Sequence, residues 1–292
     1  MLTPANERSN LTPSLHSQIS EDATGDRFHL YFDKDLIRST PYHIRGDYVR
    51  KARDRMDRTF DLLKSEVPGS RVLDIGASPF YLLYRALAHG ASSADGVYFT
   101  NDEHPLKGVG TVYSGCGAIN IHHSDIENEN LPFADDSFDV VTACEVLEHL
   151  DRFPGRLLSE MRRVLRPGGY LCITVPNVAS VANIIRLIFH KNIYMRYRAD
   201  TAGRHKHEYT MSQLKALYEF LGIDIVKAGV FPSPTSDKRW LRPAYRAIAC
   251  MPGLRAYSPA IYVLGRQPTP KSSVDLKKPP ASLYDDAFSI EE

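Results

Sequence analysis

The sequence predicts a doubly wound α/β fold: a mostly parallel sheet with helices on both faces. Three observations carry that prediction. Apolar runs of strand length alternate with stretches of helical periodicity between Val72 and Val175. The first run, Val72-Leu73-Asp74-Ile75, passes through Gly76 straight into a helical stretch. Such a glycine turn marks the carboxyl edge of a sheet, where α/β proteins hold nucleotide-like ligands. Two late strands follow one another with no helix between them, so the last can pair antiparallel.

Each element has its own signal. Residues 1–27 are polar, rich in Ser, Thr and Asn, and read as disordered. A helix is expected from Tyr48 to Glu66, because Val49, Ala52, Met56, Phe60 and Leu63 recur at spacings of three and four before Pro68-Gly69. Val72 to Ile75 is a buried strand, and Tyr81 to His89 a helix closed by Gly90. Gly96 to Thr100, Ile119 to His123 and Phe138 to Ala143 supply strands two to four. The next helix buries Leu157, Leu158, Met161, Val164 and Leu165. Pro167-Gly168-Gly169 then turns the chain into a fifth strand, Tyr170 to Val175. Thr210-Met211-Ser212-Gln213 has the form of a capping box, opening a helix on Leu214, Leu217 and Leu221 that Gly222 stops. Ile223 to Phe231 and Ala260 to Gly265 are the late strands, and the proline-rich residues 268–292 read as a disordered tail.

Composition narrows the function. A chain of 292 residues buries one substantial core, so one domain with additions is expected. The net charge of +1 gives no field that would favour nucleic acid. Cys116, Cys144, Cys172 and Cys250 form no metal-like pair, and their wide spacing suits a reducing compartment. The first residues lack the charged-then-apolar pattern of a signal peptide, and no apolar run reaches the roughly 20 residues a membrane helix needs. A cytoplasmic protein is expected.

Two motif blocks carry the chemistry. The first is Asp74-Ile75-Gly76-Ala77-Ser78-Pro79-Phe80; the second runs from Leu131-Pro132-Phe133 through Phe138-Asp139 and Glu145-Val146-Leu147-Glu148-His149 to Arg166-Pro167-Gly168-Gly169. In this order and at this distance they resemble the class I S-adenosylmethionine-dependent methyltransferases. The likeness is to the small-molecule branch, including ubiquinone-type and polysaccharide- or glycolipid-pathway enzymes. The resemblance implies a Rossmann-like sheet of seven strands, the last antiparallel, in one domain over residues 28–267. Helical lids would be inserted at about 179–207 and 232–258. It also implies S-adenosylmethionine as cofactor, with methyl transfer to a hydroxyl of a sugar, glycolipid or related small molecule.

The same resemblance distributes roles. Gly76 permits positive φ and lets the backbone approach a ligand that a Cβ would block. Asp74, with Ala77 and Ser78 beside it, would help hold the methionine ammonium, and Cys144 and Glu145 would line that end of the cofactor. Asp125, followed by Ile126, would accept a hydrogen bond from the adenine amino group. Tyr98 stands where the family places an acid for the ribose hydroxyls; a phenol cannot accept two bonds as a carboxylate does. The Glu145-x-x-Glu148-His149 spacing is similar to a divalent-metal site proposed for ubiquinone-type O-methyltransferases. Very similar sequences open a helix in metal-independent relatives, with acids favoured at the positive pole, and no metal is assigned. His149 and His207 are the candidate proton acceptors. The insertions mix apolar residues (Ile184, Ile185, Leu187, Ile188, Phe189) with basic ones (Arg204, Lys206, Lys238, Arg239), which points to an anionic or lipid-linked acceptor and a peripheral membrane contact. A dimer contact or core packing would use the apolar half as well, and the sequence leaves the oligomeric state open. Two rivals remain: a non-catalytic protein of the same fold, and a nicotinamide-dependent oxidoreductase, which would want three glycines after the first strand and an acid at the second.

Overall fold

The computed structural model describes residues 20–21, 27–28, 30–31, 46–98, 110–114, 116–194, 205–232, 243, 247–248, 250–277, 279 and 283. Its elements run β1 (Ser20–Glu21), β2 (Arg27–Phe28), β3 (Leu30–Tyr31), α1 (Gly46–Leu63), β4 (Arg71–Ile75), α2 (Tyr81–Ala88) and β5 (Ser93–Tyr98). The hairpin β6 (Thr111–Ser114) and β7 (Gly117–His123) follows, then β8 (Phe138–Cys144), α3 (Gly155–Val164) and β9 (Leu165–Pro176). The chain closes with α4 (Val181–Ile188), α5 (Met211–Leu221), β10 (Asp224–Phe231) and β11 (Ala260–Arg266).

Among the described residues nine strands form the main sheet, in the order β10-β11-β9-β8-β4-β5-β7-β6-β3. The five central strands β9, β8, β4, β5 and β7 are parallel, and β11 is antiparallel to both of its neighbours, as the missing late helix predicted. The expected seven strands are all present. The two additional ones, β6 and β3, extend the sheet beyond β7 by antiparallel pairing. Four and two residues are too short to show a period in sequence, and only tertiary pairing makes them strands.

A second correction concerns Pro167-Gly168-Gly169, which makes a bulge inside β9 rather than a turn before it. Phe138 pairs with Leu165 and Val140 with Tyr170, so the extra residues must loop out of the ladder. Gly168 takes φ +78, and a Cβ on Gly169 would stand 2.8 Å from the Asp139 carbonyl, so neither position tolerates a side chain.

Two apolar layers sandwich the sheet. Phe60 and Leu63 of α1 and Leu83 and Ala86 of α2 pack on one face, against Val72, Ile119 and Val140. Leu157, Leu158 and Met161 of α3 and Leu214, Leu217 and Tyr218 of α5 cover the other, against Leu73, Val141 and Ile173. Each such buried aliphatic side chain contributes about 1.5–3 kcal/mol. The capping box forms as read: the Thr210 side chain accepts from the Gln213 amide, Gln213 answers on the Thr210 amide, and Gly222 ends α5 at φ 59. The first residues of the expected disordered tail are instead docked. Ser272 Oγ donates to the Gly222 carbonyl at 2.7 Å, Lys271 Nζ reaches the Arg162 and Arg163 carbonyls, and Leu276 packs against the α3–α5 layer. A polar, proline-rich composition does not reveal such specific anchoring to exposed carbonyls.

Residues 1–19 and most of the second insertion lie outside the described residues; β1 pairs antiparallel with β2. Among the described residues no helix is long and apolar enough to cross a membrane.

The topology fixes where a ligand can sit. From β4 the chain moves outward to β5 and β7, then crosses back to β8 on the other side of β4. Connections leave in opposite directions there, opening a crevice at the carboxyl ends of β4, β5 and β8.

Candidate functional site

Asp74, one residue before the end of β4, is 5% exposed, and its Oδ1 accepts a 2.6 Å hydrogen bond from Thr142 Oγ1 on β8. Burial pushes its carboxyl pKa up to about 7, against the smaller lowering effect of the Thr142 bond. The turn that follows is built as the glycine predicted, for a different reason. Gly76 has φ +71 and its amide donates to the Val97 carbonyl, as does that of Ala77. A Cβ at Gly76 would lie 2.6 Å from Val146 Cγ2, so the space beside this glycine belongs to a protein side chain and not to a ligand. Gly76→Ala should therefore cost stability, roughly 1–3 kcal/mol, through the combined strain and overpacking. Urea denaturation measures this; an unchanged midpoint would mean that Val146 moves aside freely.

Ser78 supplies the opposite observation. Its Oγ is buried and has no hydrogen-bond partner among the described residues, a rare state for a hydroxyl unless another group completes it. Phe80, two residues on, is held at φ 66, and across the crevice Glu145 is held at φ 58. Positive φ at such residues is strained, and strain of this kind gathers at ligand sites.

Glu145 is fixed by a partner the sequence reading missed. Arg55 of α1 donates through Nη1 to Glu145 Oε2 at 2.6 Å, with 6% and 10% of the two side chains exposed. Thr174 Oγ1 donates to Oε1 at 3.2 Å, and the Glu145 amide donates to the Thr174 carbonyl. Cys144, at the end of β8, feels the charges of Asp74, Arg55 and Glu145 together, and burial raises its thiol pKa well above the usual value. Asp74 near the end of β4 and Glu145 just past β8 stand on adjacent parallel strands, with Arg55 paired to Glu145.

The remaining expected residues line the same edge. Tyr98 ends β5, with its ring edge-on to Phe80 at 6.4 Å. Asp95 is turned to the other face, as strand alternation required, and bonds His122 and Asn120. Asp125 lies just past β7. Its Oδ1 accepts from the Glu127 amide and its Oδ2 from Asn128 Nδ2, which holds its pKa below the ordinary value. A carboxylate has about four acceptor positions, so this loop role leaves capacity for a ligand donor. Ile126 packs partly against the apolar layer under β8.

The histidines diverge. His149 follows β8 in a short 3-10 turn, Leu147–His149, with its ring edge-on to His205 at 4.9 Å. His207 is exposed and packs edge-on to Tyr209. It lines a separate cleft of about 250 Å³ with Leu150, Phe153, Pro154 and Tyr209, and its partial burial there lowers its pKa.

The family described as "Methyltransferase domain" matches residues 73–173. The chain is similar to the ubiquinone/menaquinone biosynthesis C-methyltransferase of Bordetella avium, with 32% identity over 133 residues, 45% of this chain and 51% of that protein. It is also similar to phthiotriol/phenolphthiotriol dimycocerosates methyltransferase 1 of Mycobacterium ulcerans, 35% identical over 118 residues, 37% of this chain and 38% of that protein. The chain thus spans about half, or less, of the length of these relatives. Among solved structures, an S-adenosylmethionine-dependent methyltransferase from Mesorhizobium loti superposes with a TM-score of 0.50 at 19% identity, over 72% of this chain and 96% of that one, which shows a shared fold.

Proposed function

We propose that this chain, which carries a methyltransferase domain on a class I sheet, transfers the methyl group of S-adenosylmethionine to a hydroxyl of a small, lipid-linked or sugar-bearing acceptor. The observation that carries the reading is the buried Arg55–Glu145 pair at the end of β8, beside the β4 edge that carries Asp74 and the Ser78 hydroxyl. An amino-acid end with one ammonium and one carboxylate needs an acid and a base held close together, and this crevice offers both.

The bound cofactor supplies a methyl group already activated on sulfur, so the protein's work is mainly alignment. In this reading Asp74 faces the ammonium, Arg55 turns from Glu145 to the carboxylate, and Ser78 gains the partner it lacks. Tyr98 makes a single hydrogen bond to the ribose, and Asp125 takes the adenine amino group on its free acceptor positions. The α4 face supports a lipid-linked acceptor: Ile185, Leu187, Ile188 and Phe189 are exposed beside Arg186 and Lys191, with no acid between residues 181 and 194. The Mycobacterium ulcerans relative is named for phthiotriol and phenolphthiotriol dimycocerosates, which agrees with an acceptor of that kind.

Calorimetry with S-adenosylhomocysteine and NAD tests the cofactor, and mass spectrometry of native lipid and sugar extracts for an added methyl tests the acceptor. Binding of the first ligand only is expected, with Tyr98→Phe weakening it by about 0.5–1.5 kcal/mol. Binding of NAD, or of neither ligand, would overturn the reading.

A further inference from the structure

Glu148 is the most anomalous side chain among the described residues. It is 0% exposed, and neither of its carboxylate oxygens has a hydrogen-bond partner. Burial, with Glu145 nearby, pushes its pKa well above the ordinary value. A buried carboxyl without partners is costly unless something else completes it.

Its neighbours have the chemistry to do so. His149 Nε2 lies 3.8 Å from Glu148 Oε1, and one donor atom each from Glu148, His149 and His205 fall within 4.8 Å of one another. His205 comes from the far side of the first insertion, 56 positions along the chain. The backbone fixes it there: the Lys206 and His207 amides both donate to the Glu148 carbonyl, at 2.6 and 3.4 Å. His205 Nδ1 also meets Glu208 Oε1 at 2.8 Å. A carboxylate only accepts, so Nδ1 carries the proton of this bond and Nε2 is the nitrogen left for another partner. Such a carboxylate–histidine arrangement is how metal-binding imidazoles are oriented.

We propose that Glu148, His149 and His205 form a binding site for a divalent first-row transition metal ion. Two imidazoles among three donors favour zinc or cobalt over magnesium or calcium, which prefer oxygen. Tetrahedral bonds near 2.0–2.2 Å would bring the donors to roughly 3.3 Å apart, within reach of small rotations of the two half-buried rings. In this structure Arg55 and Thr174 hold both oxygens of Glu145, and the donors within reach of one another are those of Glu148, His149 and His205. The donor set therefore differs from a Glu-x-x-Glu-His site in its third member, and the inference stands apart from the methyl-transfer reading.

Equilibrium dialysis of the full chain against zinc chloride, with metal quantified by mass spectrometry, tests it without any assay of activity. About one zinc per chain is expected, and the cobalt-loaded protein should show visible d–d bands. His205→Ala and Glu148→Gln should abolish both, while His207→Ala keeps them. Glu208→Gln should weaken binding about 10–100-fold. Circular dichroism separates lost binding from lost fold, and Glu208→Gln, which leaves all three donors in place, guards against misfolding of the core variant. No stoichiometric zinc in the wild type, or equal binding by folded His205→Ala, would overturn the proposal.

Discussion

Arg55→Met is expected to destabilise the protein by about 3–5 kcal/mol, the usual cost of removing one partner of a buried ion pair. The substitution keeps much of the side-chain volume, so the loss reports charge rather than packing. What remains is the Glu145 carboxylate, nearly buried and close to Glu148, with only Thr174 Oγ1 as a side-chain donor. Glu145→Gln alone removes the carboxylate that Arg55 meets and should also destabilise the protein. The double variant should recover much of the loss, because neither charge is then stranded. Urea titration of the four proteins gives the coupling energy directly. Additive effects would mean that water screens the pair. The same variants bear on function: if Arg55 holds the ligand carboxylate, the double variant regains stability without regaining affinity for S-adenosylhomocysteine.

Why Arg55 escaped the sequence reading is instructive. The apolar stripe of α1 reads from Val49, Ala52, Met56, Phe60 and Leu63; the Val49 side chain lies outside the described residues, and the other four are buried. Arg55 and Thr59 occupy the missing positions of that stripe and are 5% and 1% exposed. A cation inside a core-facing stripe was therefore the available signal. Reading only the hydrophobic members of the period hid it. By contrast, β4, β8 and the α5 capping box were legible because their signals are local: continuous apolar runs and a four-residue cap. The register of β9 was not legible, since a bulge and a turn demand the same glycines. Nor was the meeting of Glu148 with His205, which depends on how an insertion folds back and leaves no mark on either segment. Gly76 lies between these cases. Its positive φ was foreseen, but its tight neighbour proved to be Val146, a contact set by packing between β4 and the end of β8.

The pH dependence of stability should bear the mark of Asp74. Its carboxyl titrates at about 7 in the folded protein, against 3.8 for the unperturbed group, because burial disfavours the charge. Below the lower value both states are protonated and the group contributes nothing. As pH rises from about 4, the unfolded chain releases the proton while the native state keeps it, so stability falls. The decline ends once pH passes about 7, where the full difference, about 4 kcal/mol, opposes folding. Asp74→Asn keeps an oxygen for Thr142 Oγ1 and removes the titration. The variant should match the wild type near pH 4 and exceed it increasingly up to pH 8, as read from urea midpoints across that range. The difference between the two proteins isolates Asp74 from Glu148, whose raised pKa is common to both. A ligand ammonium reverses the preference. If Asp74 faces it, binding of S-adenosylhomocysteine below pH 7 should release up to one proton, seen as a buffer-dependent enthalpy, and affinity should rise with pH until the carboxyl is ionised. The Asn variant should show neither effect. Should it retain the proton release, the group that meets the ammonium is not Asp74, and Glu145 becomes the acid to test.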